Sequence, residues 1–111
     1  MAIKFGPAGL GPTKEAIKNL EEYKKLGLTA CEIAFTYSVY IKNEKKIEKI
    51  KKAAQRLGIS LSIHAPYFIN LNSSDKQKLE MSKKRILSCC EVGEKLGAKV
   101  VVFHCGYYQG M

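Results

Sequence analysis

The sequence predicts an α/β fold of parallel (β/α) units that forms the first half of a TIM (β/α)8 barrel. Three observations support this prediction. A short phrase of a basic residue, Leu and Gly recurs three times, helical periodicity precedes each copy, and a strand-like run follows it. Strict alternation of helices and strands is typical of βαβ units and a parallel sheet. The order predicts four strands and three helices over residues 1–111, which form a single partial domain.

The repeated phrase marks the ends of the predicted helices. Its three copies read KLGLTACEIAF, RLGISLSIHAP and KLGAKVVVFHC. The glycines at the third position, Gly27, Gly58 and Gly97, suit the left-handed conformation that closes a helix. We therefore expect each helix to end at the glycine and the next strand to begin directly after it.

The residues before each glycine follow helical spacing. The apolar side chains of the second helix recur with a 3.6-residue period, at Ile47, Ile50, Ala54 and Leu57. The first helix is predicted to follow Thr13 as its N-cap, and the third to run from a cap at Ser73 or Ser74 to about Leu96. An opening strand is predicted at 2–6.

The predicted strands have one apolar and one small or polar face. In the third strand, Ile59, Leu61 and Ile63 alternate with Ser60, Ser62 and His64. A doubly wound sheet, covered on both faces, usually reads as continuously apolar, so this pattern favours the wall of a barrel over that alternative. A barrel needs eight strands and about 250 residues. We therefore expect the remaining half in the same longer chain or in a partner chain.

The chain carries 19 Lys and Arg against 10 Asp and Glu, a formal net charge of +9. Such an excess is typical of proteins with a polyanionic partner, nucleic acid first, although lysines on the solvent faces of helices also account for many of these charges. The start of the chain has no signal-like apolar run, and no stretch approaches the roughly 20 apolar residues of a membrane span. The predicted location is the cytoplasm, with no membrane partner.

The four cysteines do not form a CxxC pair, which argues against a zinc-ribbon or redox motif. Cys89 and Cys90 are expected on the apolar face of the third helix, where a free thiol acts as a small hydrophobe. Cys31 is interpreted in the same way. The role of Cys105 stays open.

The two histidines of the chain occupy matching places. His64 ends the third predicted strand on its inner face, and His104 ends the fourth. Barrel enzymes build their active sites at the C-terminal rim, and adjacent strands lie less than 5 Å apart. Two imidazoles there could share a zinc, manganese or iron ion. The alternative is that each histidine is hydrogen-bonded and inert. Glu32 lies nearer the strand middle and is interpreted as a buried polar partner.

Two short motifs carry a resemblance to a known family. The run HAPYFINL, 64–71, resembles a signature of the endonuclease IV family of apurinic/apyrimidinic endonucleases, and FHCG, 103–106, is similar to that family's next metal motif, usually FHPG. The resemblance covers nearly the whole chain. It implies a TIM barrel with a trinuclear zinc cluster that hydrolyses DNA 5′ to an abasic site during base excision repair.

Carried over by position, the resemblance implies that His64 and His104 bind the same zinc, with manganese possible. It implies that Tyr67 and Phe68 enter the DNA minor groove beside a flipped-out abasic nucleotide, with Tyr40 as a further DNA contact. Inserting such wedges requires side chains that fill the vacated stack. The expected partner is double-stranded DNA with an abasic site.

This sequence departs from the family pattern at several positions. Cys105 replaces the usual Pro, Tyr107 stands where a small polar residue is common, and Tyr40 replaces what is often a basic side chain. The family's bridging glutamates lie on later strands, so the 111-residue chain alone is expected to be inactive. Two other functions stay open: a sugar isomerase or epimerase of the xylose isomerase-like superfamily, and a non-catalytic half-barrel that self-associates or binds nucleic acid.

Overall fold

Helices and strands alternate along the chain, which a computed structural model describes over residues 3–106. The helices are α1 (Ala16–Lys25), α2 (Glu44–Leu57) and α3 (Lys76–Leu96), and the strands are β1 (Ala30–Ala34), β2 (Ser60–His64) and β3 (Val101–Val102). The strands form one parallel sheet in the order β1-β2-β3. This architecture confirms the predicted parallel (β/α) fold. No helix within the described range is long and apolar enough to cross a membrane.

The sheet has one buried face and one half-exposed face. The buried side chains of β1 and β2 join those of α1, α2 and α3 in one apolar core, which includes Cys31, Ile33, Leu61, Ile63, Leu20, Ile50, Cys89 and Leu96. The alternate side chains, among them Glu32, Ser62 and His64, are partly exposed. Within residues 3–106, helices therefore pack on one face only, which confirms the two-faced pattern predicted from the sequence.

The predicted opening strand at 2–6 is wrong for residues 3–6, which the structure describes as irregular. This segment nevertheless runs beside β1: the Phe5 carbonyl accepts from the Thr29 and Ala30 amides, and the Pro7 carbonyl accepts from the Glu32 amide. Pro7 has no amide hydrogen to continue the ladder, so only a single parallel bridge forms, between Ala8 and Glu32. Three strands, rather than four, are thus present within residues 3–106.

The helix ends confirm the predicted glycines. Gly58 follows α2 with φ 68°, and Gly97 follows α3 with φ 76°. Both are in the left-handed region that only glycine adopts without strain. The strand that follows each glycine is therefore set at a defined angle to the helix before it.

The helix starts differ from the prediction. Thr13 does not cap α1, because a 3₁₀ turn over Thr13–Glu15 leads into that helix. The cap of α3 is Asp75, whose Oδ1 accepts from the amides of Gln77 at 2.9 Å and Lys78 at 3.3 Å. Ser73 instead accepts from the Asp75 amide at 3.2 Å and so belongs to the turn before the cap.

Replacing the α3 cap tests this assignment. Asp75→Ala is expected to lower the free energy of unfolding by about 1 kcal/mol, because two amides of the first turn lose their acceptor. Ser74→Ala, the matched change at the neighbouring position, is expected to stay within about 0.5 kcal/mol of the parent. Urea unfolding followed by circular dichroism measures both. A larger loss in Ser74→Ala than in Asp75→Ala would contradict the assignment.

Candidate metal centre

The two histidines lie together at the C-terminal edge of the sheet. His64 is the last residue of β2 and pairs in register with Val102 of β3, and His104 follows two positions later on the same side. Their ring centroids are 5.2 Å apart, with 49° between the ring planes. The structure therefore brings together the two residues that the sequence singled out.

One hydrogen bond fixes the orientation of the His64 ring. Its Nδ1 lies 2.8 Å from the carbonyl oxygen of Ala65. A carbonyl only accepts, so Nδ1 carries the hydrogen, and in the neutral imidazole Nε2 is the nitrogen with the free lone pair. This backbone arrangement is common among metal-binding histidines, where the outer partner sets the tautomer of the ligand.

The separation of the two rings fits a shared metal ion. With Zn–N bonds of about 2.0–2.1 Å in a tetrahedral arrangement, two imidazole centroids would lie about 5 Å apart. A complete zinc site needs three or four ligands. Within residues 3–106 no group of three His, Cys, Asp or Glu side chains has the geometry of a metal site. The described residues thus fit part of a ligand set. Glu32, interpreted from the sequence as a buried polar partner, is instead partly exposed.

The loop after β2, residues 65–72, is bound to α3 beneath it. The buried hydroxyl of Ser82 accepts from the Asn70 amide at 2.9 Å and donates to the Phe68 carbonyl at 3.5 Å. Arg85 Nη1 donates to the same carbonyl at 3.0 Å. These bonds hold the backbone of the loop in place, while the rings of Tyr67 and Phe68 stay about half exposed.

The same loop is also bound to the end of β3. The Leu71 amide donates to the Cys105 carbonyl at 2.7 Å, just past His104. Gly106 lies against Asn70, Leu71 and Asn72 so closely that a β-carbon there would overlap the Asn70 side chain. The loop after β2 and the turn after His104 therefore form one packed unit.

Three exposed aromatic rings on the loops after β1 and β2 form a group, which we call the aromatic cluster: Tyr37, Tyr67 and Phe68. The Tyr37 ring lies 6.5 Å from Tyr67, edge to face, and 6.2 Å from Phe68. The guanidinium of Arg85 lies 5.8 Å from the centre of the Phe68 ring. Tyr67 and Phe68 were predicted as DNA contacts. Tyr37 and Arg85 were not, although Tyr37 could have been found as an aromatic residue just after a strand.

Tyr40 has contacts of a different kind. Its ring lies 5.3 Å from Phe35, edge to face, and its hydroxyl donates to the Gly11 carbonyl at 3.0 Å. Burial raises the pKa of the Tyr40 hydroxyl, and the nearby Cys31 adds to that effect. Tyr40 thus links the loop after β1 to the segment before α1. The structure does not bring it into the aromatic cluster, and its predicted DNA contact stays a prediction.

Two of the four thiols are structural. Cys31 and Cys89 are buried, and burial raises the pKa of each to about 11. Cys90 was expected on the apolar face of α3 but is exposed, because the buried line continues from Cys89 to Gly93 and Leu96 instead. Cys105 is also exposed. The buried thiols remain protonated at neutral pH, which makes them poor metal ligands.

Comparison with known proteins places the whole arrangement in one family. The model of the family described as "Xylose isomerase-like TIM barrel" matches residues 20–111. The chain belongs to the xylose isomerase-like TIM barrel family. The match fixes the fold and leaves the reaction to be argued from the site.

This chain spans less than half the length of each relative described below. An uncharacterized protein of Methanocaldococcus jannaschii is 39% identical over 94% of the chain, which spans 37% of that relative. Endonuclease IV from Thermus thermophilus is similar in structure, with a TM-score of 0.74 and 24% identity over 90% of the chain and 39% of the enzyme. D-Psicose 3-epimerase from Clostridium cellulolyticum is similar in structure, with a TM-score of 0.65 and 22% identity over 78% of the chain and 30% of the epimerase. The two solved structures share less than 25% identity with this chain, so they support the fold alone.

The glycine after His104 offers a test of the packed unit. Gly106→Ala is expected to destabilise the fold by about 1–3 kcal/mol, the range for overpacking, since the new methyl group displaces Asn70. Gly9→Ala is the matched control, because a β-carbon at Gly9 meets no atom within 4 Å. Thermal unfolding of both variants measures the difference. Equal melting temperatures would contradict the close approach of the two segments.

Thiol labelling tests the assignment of the cysteines. At pH 8, a disulfide reagent is expected to modify Cys90 and Cys105 quickly and Cys31 and Cys89 slowly. The raised pKa of the two buried thiols lowers their thiolate fraction, and raising the pH toward 11 increases it. Mass spectrometry of the labelled peptides identifies the sites. Fast labelling of Cys31 or Cys89 at pH 8 would contradict their burial.

Proposed function

We propose that this chain forms the N-terminal half of an endonuclease IV-like, zinc-dependent DNA repair nuclease that hydrolyses the phosphodiester bond 5′ to an abasic site. The observation that carries the proposal is the pair of imidazoles 5.2 Å apart at the ends of two adjacent parallel strands. In this proposal His64 and His104 are zinc ligands. Tyr67 and Phe68 contact the DNA. Further ligands come from the other half of the barrel.

The chemistry of a phosphodiester substrate agrees with this ligand pair. When bound, zinc supplies the Lewis acidity that phosphodiester hydrolysis needs, so the protein need not provide a nucleophile of its own. The residues of this chain have supporting roles. The Ala65 carbonyl holds His64 in the tautomer that leaves Nε2 available, and the turn that follows His104 is packed at Gly106 against the loop after β2.

The aromatic cluster suits a substrate whose base stack is interrupted. An abasic site leaves a gap in the stack, and extruding the damaged nucleotide widens it. Tyr67 and Phe68 expose about half of their surface on the loop that follows His64, and this loop is anchored to α3. A wedge needs such an anchor, because a ring on a mobile loop would lose conformational freedom on entering the groove. The net charge of +9 adds attraction for a polyanion.

The expected partner within the protein is the remaining half of the barrel, in the same longer chain or in a partner chain. The polar face of the sheet, which carries Glu32, Ser62 and His64, is only partly buried. A second half would enclose this face and supply the missing carboxylate and histidine ligands. The proposed cellular location is the cytoplasm.

A sugar isomerase or epimerase is the second candidate. The structural similarity to D-psicose 3-epimerase, solved with D-tagatose, favours it. So do the polar side chains of the inner face, since Ser62 and Glu32 lie opposite each other in the β1–β2 register and could contact a polyol. If this chain belongs to such an enzyme, the bound metal would contact the sugar, and the aromatic cluster would have no role in binding DNA.

Replacing one imidazole tests the nuclease in the complete protein. His64→Ala is expected to slow cleavage of a duplex with one abasic site by more than about 100-fold. Removing a residue that only hydrogen-bonds to a metal ligand already lowers metal affinity or activity by about 10–100-fold, and here the proposed ligand itself is lost. Ser62→Ala, on the same face of the same strand, is expected to keep the parent rate. Chelation should abolish cleavage and added zinc should restore it. Full activity in His64→Ala would exclude the metal assignment.

The same proteins separate the alternatives. Metal-dependent interconversion of ketose epimers, weakened by Ser62→Ala and without cleavage of abasic DNA, would establish the sugar enzyme. Absence of both reactions, together with salt-sensitive DNA binding that survives removal of metal and of both histidines, would establish a non-catalytic binding module.

A further inference from the structure

A cleft lined by cations lies between the loop after β1 and the outer surface of α3. It has a volume of about 280 Å³. We call it the basic cleft and define it by six of its lining residues, Tyr37, Ser38, Lys42, Lys84, Arg85 and Ser88. None of the described residues that line it is acidic. The cleft is distinct from the metal ligands, since neither histidine lines it.

The charges of the basic cleft are not neutralised by the described part of the protein. Within residues 3–106, no carboxylate lies within ion-pair distance of Lys42, Lys84 or Arg85. The neighbouring lysine on α3, Lys83, does pair, with Glu80 at 3.3 Å. Like charges gathered around one concave site repel each other, so an anion that enters the cleft gains their combined attraction.

We infer that the basic cleft binds a backbone phosphate of a nucleic-acid strand. The neighbouring bases of that strand, or the gap left by a missing base, contact the aromatic cluster. Lys42 and Lys84 supply the charge, and the hydroxyls of Ser38 and Ser88 are donors of the kind that protein–DNA interfaces direct at phosphate oxygens. The inference extends the proposed function, and it rests on that function only in taking DNA as the ligand.

The position of the cleft selects a nucleic acid over other anions. Tyr37 lines the cleft and also belongs to the aromatic cluster, 6.2 Å from Phe68. Arg85 also lines the cleft, and its guanidinium lies over the Phe68 ring, 5.8 Å from the ring centre. Cations that contact the backbone beside rings that stack on bases are the combination found in strand-binding proteins. An acidic peptide would use the cations but not the exposed faces of three aromatic rings.

The number of phosphates held by the cleft can be measured through salt dependence. Each phosphate contact adds about 0.9 to the slope of log Kd against log salt concentration for duplex DNA. Lys42→Ala and Lys84→Ala are each expected to weaken binding severalfold and to lower that slope by about 1. Lys49→Ala, which removes an exposed lysine from α2, is the matched control and is expected to leave the slope unchanged.

The experiment uses the complete protein and a short fluorescein-labelled duplex with one abasic site, and fluorescence anisotropy is recorded at several KCl concentrations with EDTA present. Equal slopes for Lys42→Ala, Lys84→Ala and Lys49→Ala would overturn the inference, because the lysines would then act only through net charge. A smaller slope in the two cleft variants alone would support it. The binding series is repeated in His64→Ala, and cleavage by the same variant is measured separately with zinc and without EDTA. Loss of cleavage with unchanged cleft slopes would count against the metal centre only, and not against the basic cleft.

Discussion

The in-register parallel pairing of β2 with β3 is the constraint on which the candidate site depends. Three backbone hydrogen bonds set this register: Lys99 N to Leu61 O, Ile63 N to Val100 O, and Ala65 N to Val102 O, all at 2.8–2.9 Å. A shift of one residue would turn His104 to the opposite face of its strand and separate the imidazoles. The apolar core enforces the register, because Leu61 and Ile63 must face the helices while His64 faces away from them.

The same constraint explains why the polar residues of this sheet need no partner in the core. With helices on one face only, Glu32, Ser62 and His64 keep access to solvent and avoid the cost of burial. An enclosing second half would change that environment. Water would leave the face that carries the proposed ligands, and the interactions of a bound metal with a charged substrate would become stronger in the drier site.

The sequence predicted the features that arise from local chemistry and periodicity. Gly58 and Gly97 end their helices as expected, and the two-residue alternation placed His64 on the correct face. Features that depend on contacts between distant segments were not predictable in this way. Ser73, Ser74 and Asp75 are all good capping residues, and only the path of the loop pinned by Ser82 selects Asp75. Tyr37 and Arg85 both lie near the Phe68 ring because the loops after β1 and β2 come together above α3. Neither residue has a sequence motif that would indicate this.

The proposed metal ligands and the proposed phosphate contacts have different requirements, and they lie on different elements of the fold. A group that stabilises the transition state must be held at a fixed place, and the ends of paired strands provide it. A contact to a non-reacting phosphate adds uniform binding and tolerates longer, more mobile side chains such as Lys42 and Lys84 on a loop and a helix. The loop after β2 connects the two, because its backbone is bound to α3 through Phe68 and Asn70 and to the end of β3 through Leu71. A displacement of α3 would therefore move the basic cleft and the histidines together.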